Sequence, residues 1–335
     1  MSAPAMPVPA AGGATPATAW SRRIRRNAWV VGLYAFTILV FALTIAIKPG
    51  YGASDFESLA KSVVPIVFAA AAQTVVVIAG GIDLSIASVM ALTSCTAAVL
   101  MAQSGEIGAV GVVALVLVQG ILIGALNGAL VVLSRVPDIV VTLAMSFVWA
   151  GAALLVLDTP GGGAAAWFVG LGDGTVLIDW LPRALVTLLV VLGVIWIPVR
   201  RSRLGISLYA VGSDRLAALR SGVPIARTKI VSYTLGGLLA AIGGLSLVMS
   251  TGIGLPVPGP YTLNGVAAIV LGGVSLAGGR GGMLGPIAAA FLLSLIRTDL
   301  VFLGVNSDCS QVIQGAILVI VVMIGGLVEL RRRRA

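Results

Sequence analysis

The chain has 335 residues, 59% of them hydrophobic and 10% charged, well short of the charged share of about a quarter that is usual in a soluble domain. Its net charge of +9 comes from basic residues beside apolar runs, which membrane topology and anionic lipid explain without nucleic acid. There is no histidine, and the two cysteines fall in an apolar run (Cys95) and a loop (Cys309), so no histidine relay, disulfide or metal site is expected.

Apolar runs such as Ile121–Leu133 do not alternate, so the chain reads as all-α, a polytopic membrane helical bundle rather than a closed barrel. Residues 1–21, rich in Ala, Pro, Gly and Thr, are expected to form a disordered cytoplasmic tail, and residues 22–335 a single membrane domain. Arg22, Arg23, Arg25 and Arg26 precede a first span over Ala28–Ile47. Further spans are expected over Leu59–Ala79, Leu84–Ala102, Ile107–Leu133, Ile139–Leu157, Ala184–Val199, Ile230–Ser250, Leu263–Ala277, Met283–Ile296 and Gln311–Leu330, about ten transmembrane helices in all. With both termini cytoplasmic, 17 of the 21 basic residues fall on the cytoplasmic side, the bias that positive-inside topology requires. The longest outer loop, Asp158–Arg183, carries Trp167, Phe168 and Trp180 and reads as an interfacial segment or as a docking surface for an external partner.

Gly80–Ser85 joins two expected spans with almost no loop. Asp83 in it either caps the next helix near Ser85 and Ile86, touches an ion or substrate, or acts as a gate. Ser85, Ser88, Gln73, Gln119, Asn127 and Asn264 are uncharged polar residues suited to a polyol or to a neighbouring helix. No span interior carries the acid–base set of an ion-coupled carrier. The phosphate loop G-x-x-x-x-G-K-S/T is missing, and Gly278–Gly282 reads as a tight turn, so the chain is not expected to be an enzyme or to hydrolyse ATP itself. Ile78–Ser85 is echoed by Val270–Ala277, which reads either as a trace of duplicated halves or as chance.

The segment Arg200–Lys229 is the one long polar stretch between apolar blocks. It carries seven basic residues against one acid, Asp214. Ser213-Asp214 can cap a helix of two to three turns, Gly222 can end it, and Pro224 stops its continuation. Such a helix lies on lipid headgroups or meets a cytoplasmic partner.

Several stretches resemble the permease subunits of bacterial ABC importers for ribose and other monosaccharides, a group that includes autoinducer-2 permeases. They are Gly80–Ser85, Asn127-Gly128 with Pro137 and Val141-Thr142-Leu143, Tyr209–Gly212, Ala217–Val223, Ala267–Gly279, and Gln311 with Gly315. The resemblance covers about residues 55–330. Asp138 stands where such proteins usually have an uncharged residue and is expected to cap its span. Thr262 replaces a common Glu, is expected near the outer mouth, and bears on specificity. Ile86-Ala87 replaces the usual Val-Gly.

The resemblance implies a permease in the bacterial plasma (inner) membrane that binds no cofactor itself. Its partners would be a second permease copy or paralogue, two ATP-binding subunits (or one fused double subunit) holding ATP and Mg, and a periplasmic or tethered sugar-binding protein. The cargo would be a monosaccharide, a ribose-like pentose or a hexose. Asp214, Arg215, Leu216, Leu219, Arg220, Ser221 and Gly222 would form the helix that couples to the ATPase. Asp83, Ser85, Ser88, Asn127 and Asn264 are the candidates for the translocation path or its gate. The alternatives are a branched-chain amino-acid permease of the same superfamily, an ion-coupled secondary carrier, and a membrane scaffold.

Overall fold

The computed structural model describes residues 28–306 and, beyond them, residues 309, 310, 312, 313, 315, 316, 319 and 323. The expected tail, the Arg22–Arg26 cluster, most of Gln311–Leu330 and the arginines at 331–334 lie outside the described residues. In chain order the helices are α1 (Ala28–Ile47), α2 (Ala53–Ile78), α3 (Ile86–Ser134), α4 (Asp138–Val156), α5 (Ala166–Gly170), α6 (Arg183–Arg201), α7 (Arg203–Ser213), α8 (Arg215–Arg220), α9 (Ile225–Thr251), α10 (Tyr261–Leu271) and α11 (Leu284–Phe302). Seven of them are long and apolar enough to cross a membrane. The protein is a polytopic helical membrane protein.

An antiparallel ribbon of β1 (Thr175–Val176) and β2 (Ile178–Pro182) lies within the loop expected to be interfacial or a docking surface. Lys61 on α2 pins this loop by pairing with Glu57 at 2.9 Å and with Asp173, and the Gly174 N–H donates to Glu57 Oε1 at 2.8 Å. Its aromatic anchor is specific too, because the Trp167 indole donates to the Glu106 carbonyl at 3.0 Å.

α2 is the axis of the bundle. Almost every residue from Leu59 to Ile78 is buried, including the small run Ala69–Ala72, and α9, α10, α11 and α3 all pack on it. It begins six residues before the expected span because Asp55 accepts the Gly52 N–H at 3.0 Å and so starts the helix early. α3 joins two expected spans in one helical run, broken at Gly105, where φ is +64°. The chain reverses on a glycine, not on a loop.

The second limb of α3 packs backbone to backbone on α9. A Cβ on Gly124 would lie 2.3 Å from the Tyr233 carbonyl oxygen, and one on Gly237 would lie 2.3 Å from that of Gly120. The spacing Gly120, Gly124, Gly128 keeps one face flat enough for this approach.

α10 corrects an expected span. It has 11 residues, about 16 Å of helix and roughly half of the hydrocarbon core. The helix stops at Leu271 and the chain turns at Gly273 (φ +79°) instead of continuing to Ala277. The apolar residues that made Val274–Ala277 look like span belong to this turn. The sequence echo has a structural counterpart. The Gly81 N–H bonds to the Val76 carbonyl at 3.0 Å and the Val274 N–H to the Ile269 carbonyl at 2.9 Å, so both stretches are the same helix-ending turn.

Candidate functional site

The polar stretch 200–229 folds into more helix than its charge suggests. α7 buries Gly205, Leu208 and Val211 on one face, an apolar spacing that the flanking arginines hide in the sequence. α8 follows directly. Asp214 Oδ1 accepts the N–H groups of Leu216 and Ala217, both at 2.9 Å. Gly222 (φ +80°) ends the helix, and the Val223 N–H reaches back to the Ala218 carbonyl at 3.0 Å. α8 is six residues, shorter than the two to three turns expected, because Ser213 ends α7 rather than starting α8. Ala218 is the buried residue of α8; Arg215, Leu216, Leu219, Arg220, Ser221 and Gly222 are exposed.

The root of α8 touches the end of α2. A Cβ on Gly212 would sit 1.9 Å from the Ile78 carbonyl oxygen and 2.6 Å from the Gly279 nitrogen. The Gly279 N–H donates to that same Ile78 carbonyl at 3.0 Å, and the Tyr209 hydroxyl to the Gly281 carbonyl at 2.8 Å. Three segments distant in sequence thus meet at one glycine-lined junction.

From this junction the chain enters the turn 80–85, in which Gly81, Asp83 and Ser85 are buried, Ile82 and Leu84 half-buried and Gly80 exposed. Asp83 is 3% exposed, and its Oδ1 accepts the Ser85 N–H at 2.8 Å and the Ser85 hydroxyl at 2.6 Å. It braces the turn before α3; the expected bond to Ile86 is not among those formed. The Asn127 amide donates to Ser85 Oγ at 2.8 Å, and Asn127 Oδ1 accepts the Trp149 indole N–H at 3.1 Å. Asp83, Ser85 and Asn127 therefore form one hydrogen-bonded chain linking the turn to α3 and α4.

A second set of braces was not foreseen from the sequence. Thr142 Oγ1 accepts the Leu84 N–H at 3.1 Å. The Tyr233 hydroxyl lies 3.2 Å from the Ile82 carbonyl and 3.0 Å from Asp138 Oδ2. Asp138 does not cap its helix as expected; its carboxylate pairs with Lys229 of α9 at 2.7 Å. Thr262 sits against the start of α3, where its hydroxyl accepts the Ala87 N–H at 2.9 Å, a bond that the sequence did not suggest. The signals for Tyr233 and Lys229 were there to see: a tyrosine and a cation inside an apolar helix need partners.

The remaining candidates lie elsewhere. Ser88 is buried in the first turn of α3 and makes no side-chain hydrogen bond among the described residues. Asn264 lines a separate cleft of about 420 Å3, remote from α8, between the N-terminal half of α2, the C-terminal end of α9, the loop after it, and α10 and α11. No group of three or more metal-ligating side chains occurs among the described residues.

Residues 56–322 match the family model described as branched-chain amino acid transport system / permease component. The ribose import permease protein RbsC of Escherichia coli is 31% identical over 324 residues, 92% of this chain and 98% of its own length. A probable ABC transporter permease protein of Sinorhizobium fredii is 30% identical over 329 residues, 96% of each chain. The autoinducer 2 import system permease protein LsrD of Escherichia coli is 29% identical over 325 residues, 92% of this chain and 95% of that one. No solved structure gives a significant match.

Proposed function

Since the chain belongs to the branched-chain amino acid transport system permease family, we propose that it is the transmembrane subunit of an ATP-binding-cassette importer for a monosaccharide. Two permeases, identical or paralogous, line the path across the bacterial plasma membrane. Separate cytoplasmic subunits hold ATP and Mg and drive transport, and a solute-binding protein delivers the cargo, a ribose-like pentose or a hexose. The ribose and autoinducer 2 imported by the relatives support a small polar cargo. The family description keeps a branched-chain amino acid as the second reading. In the membrane we place both termini and α8 in the cytoplasm and count ten crossings: the seven long helices with α3 supplying two, half-length α10 with the glycine turn after it, and residues 311–330. The exposed arginines at 200, 201, 203, 215, 220 and 227 support this orientation.

One observation carries the reading. α8 is a capped helix that offers Leu216 and Leu219, each 57% exposed, with Arg215 and Arg220 beside them. It is rooted through Gly212 on the end of α2. An ATPase that moves α8 would push on the junction of Gly212, Ile78 and Gly279, and through it on the braced turn 80–85. That changes the relative populations of inward- and outward-open states. Asp83, Ser85 and Asn127 then act as the gate's frame rather than as ligands, since Asp83 Oδ1, the Ser85 hydroxyl and the Asn127 amide join in one hydrogen-bonded chain.

The test pairs Arg215→Glu with Arg220→Glu in the complex with ATPase and binding protein. The double variant should lose ATPase co-purification and drop ATP-dependent monosaccharide uptake in proteoliposomes at least about tenfold. Wild-type levels of both would remove the coupling role, and uptake by this chain alone under an ion gradient would remove the importer.

A further inference from the structure

We infer that the cleft at Asn264 is a binding site for a hydroxylated carboxylate, a sugar acid in preference to a neutral sugar. This rests on the importer reading above, from which it takes the outward direction the cleft faces. The cleft measures about 420 Å3, in the range of small-molecule sites. It descends one face of α2, at positions 58, 61, 62, 65 and 66, from the start of the helix toward its middle.

Charge is the first argument. The charged side chains lining the cleft are Lys61 and Arg297, both cationic, and no carboxylate is among the lining residues. Lys61 is already paired with Glu57 and Asp173. Arg297 has no ion-pair partner among the described residues. Arg297 is itself exposed, so its guanidinium is open to a ligand anion, and its planar fork fits a carboxylate through two parallel bonds.

The hydroxyls supply the second argument. Ser58 donates to the Ser54 carbonyl at 2.9 Å, Ser62 to that of Leu59 at 2.8 Å, and Ser250 to that of Leu247 at 3.0 Å. Each proton is committed to the helix backbone, so each oxygen is left as an acceptor. Tyr261 and Asn264, by contrast, make no side-chain hydrogen bond among the described residues and keep donors free. The cleft therefore presents acceptors for several ligand hydroxyls and, around Arg297, donors for one negative group. A neutral sugar would gain no charge-assisted pair from the exposed guanidinium. A branched-chain amino acid would set methyl groups against the serine oxygens.

Equilibrium binding of radiolabelled D-gluconate and D-glucose to the purified full chain, in phosphatidylcholine nanodiscs, tests this. The wild type should bind gluconate at least about tenfold more tightly than glucose, R297Q should abolish that preference with glucose unchanged, and R297K should keep part of it. Equal affinities, no gluconate binding, or gluconate binding indifferent to R297Q would each overturn the inference. If R297Q does not fold, competition of glucose against labelled gluconate on the wild type still decides. Phosphatidylglycerol, whose headgroup sets an anion beside a diol, is the other source of this chemistry. Its retention by the wild type but not by R297Q, with displacement of gluconate, would assign the cleft to lipid and overturn the sugar acid. No ATPase or binding protein is present in this assay, so its failure leaves ATP-driven uptake standing, and the reverse holds equally.

Discussion

Replacing Lys229 with methionine deletes the cation facing Asp138 at 2.7 Å while keeping an unbranched apolar stem in its place. The two side chains are 15% and 16% exposed, so the carboxylate would remain mostly out of water with the Tyr233 hydroxyl at 3.0 Å as its surviving donor. Removing one partner of a buried pair costs about 3–5 kcal/mol. Residual exposure and the Tyr233 bond put this case at the lower end, about 3 kcal/mol. Adding Asp138→Asn removes the stranded charge, so the double variant should recover about 2 kcal/mol, and the cycle should show a coupling of at least that size, larger by the cost of Asp138→Asn alone. Equilibrium unfolding of the purified chain in mixed micelles would read these values. Uptake should fall in the single variants as well, because the Tyr233 hydroxyl that meets Asp138 also lies 3.2 Å from the Ile82 carbonyl in the turn. Single effects that simply add, or a K229M protein within about 0.5 kcal/mol of wild type, would refute the clamp.

Other perturbations follow from the same geometry. Gly212→Ala forces a Cβ to within 1.9 Å of the Ile78 carbonyl oxygen. It should cost about 1–3 kcal/mol or more and break the coupling between ATP hydrolysis and uptake, read as ATP turned over per sugar imported. Asn127→Leu keeps volume but strands the Trp149 indole N–H and removes the donor to Ser85 Oγ, which keeps its own bond to Asp83. About 1–3 kcal/mol of stability should be lost in the same unfolding assay.

Much of this architecture was legible in the residues. Uninterrupted apolar runs required helices, and the long ones formed within a few residues of where they were expected, because burial of a 20-residue apolar run leaves the backbone no other way to satisfy its hydrogen bonds. The α8 cap was readable because Asp214 acts on amides two and three residues away. Turn chemistry at Gly80–Ser85 was readable for the same reason of locality. α7 was hidden, since arginines at both ends mask a buried face that only shows once Gly205 packs on the Val199 carbonyl, 2.4 Å from where its Cβ would stand. α10 was overdrawn, because apolar composition does not distinguish a half-length helix followed by a glycine turn from a full span.

What the sequence determined alone is therefore the short-range part: a helical membrane protein, its long basic loop, the caps and stops of its helices, and the residues that carry the resemblance to a permease family. Tertiary structure decided which polar groups answer one another. Asp138 finds Lys229 and Tyr233 more than ninety positions away, Thr262 finds Ala87, and Gly212 finds Ile78. In an interior with little water each such group must have a partner. The partner is chosen by which helices can come together on their glycine faces, a condition that no local stretch of sequence contains.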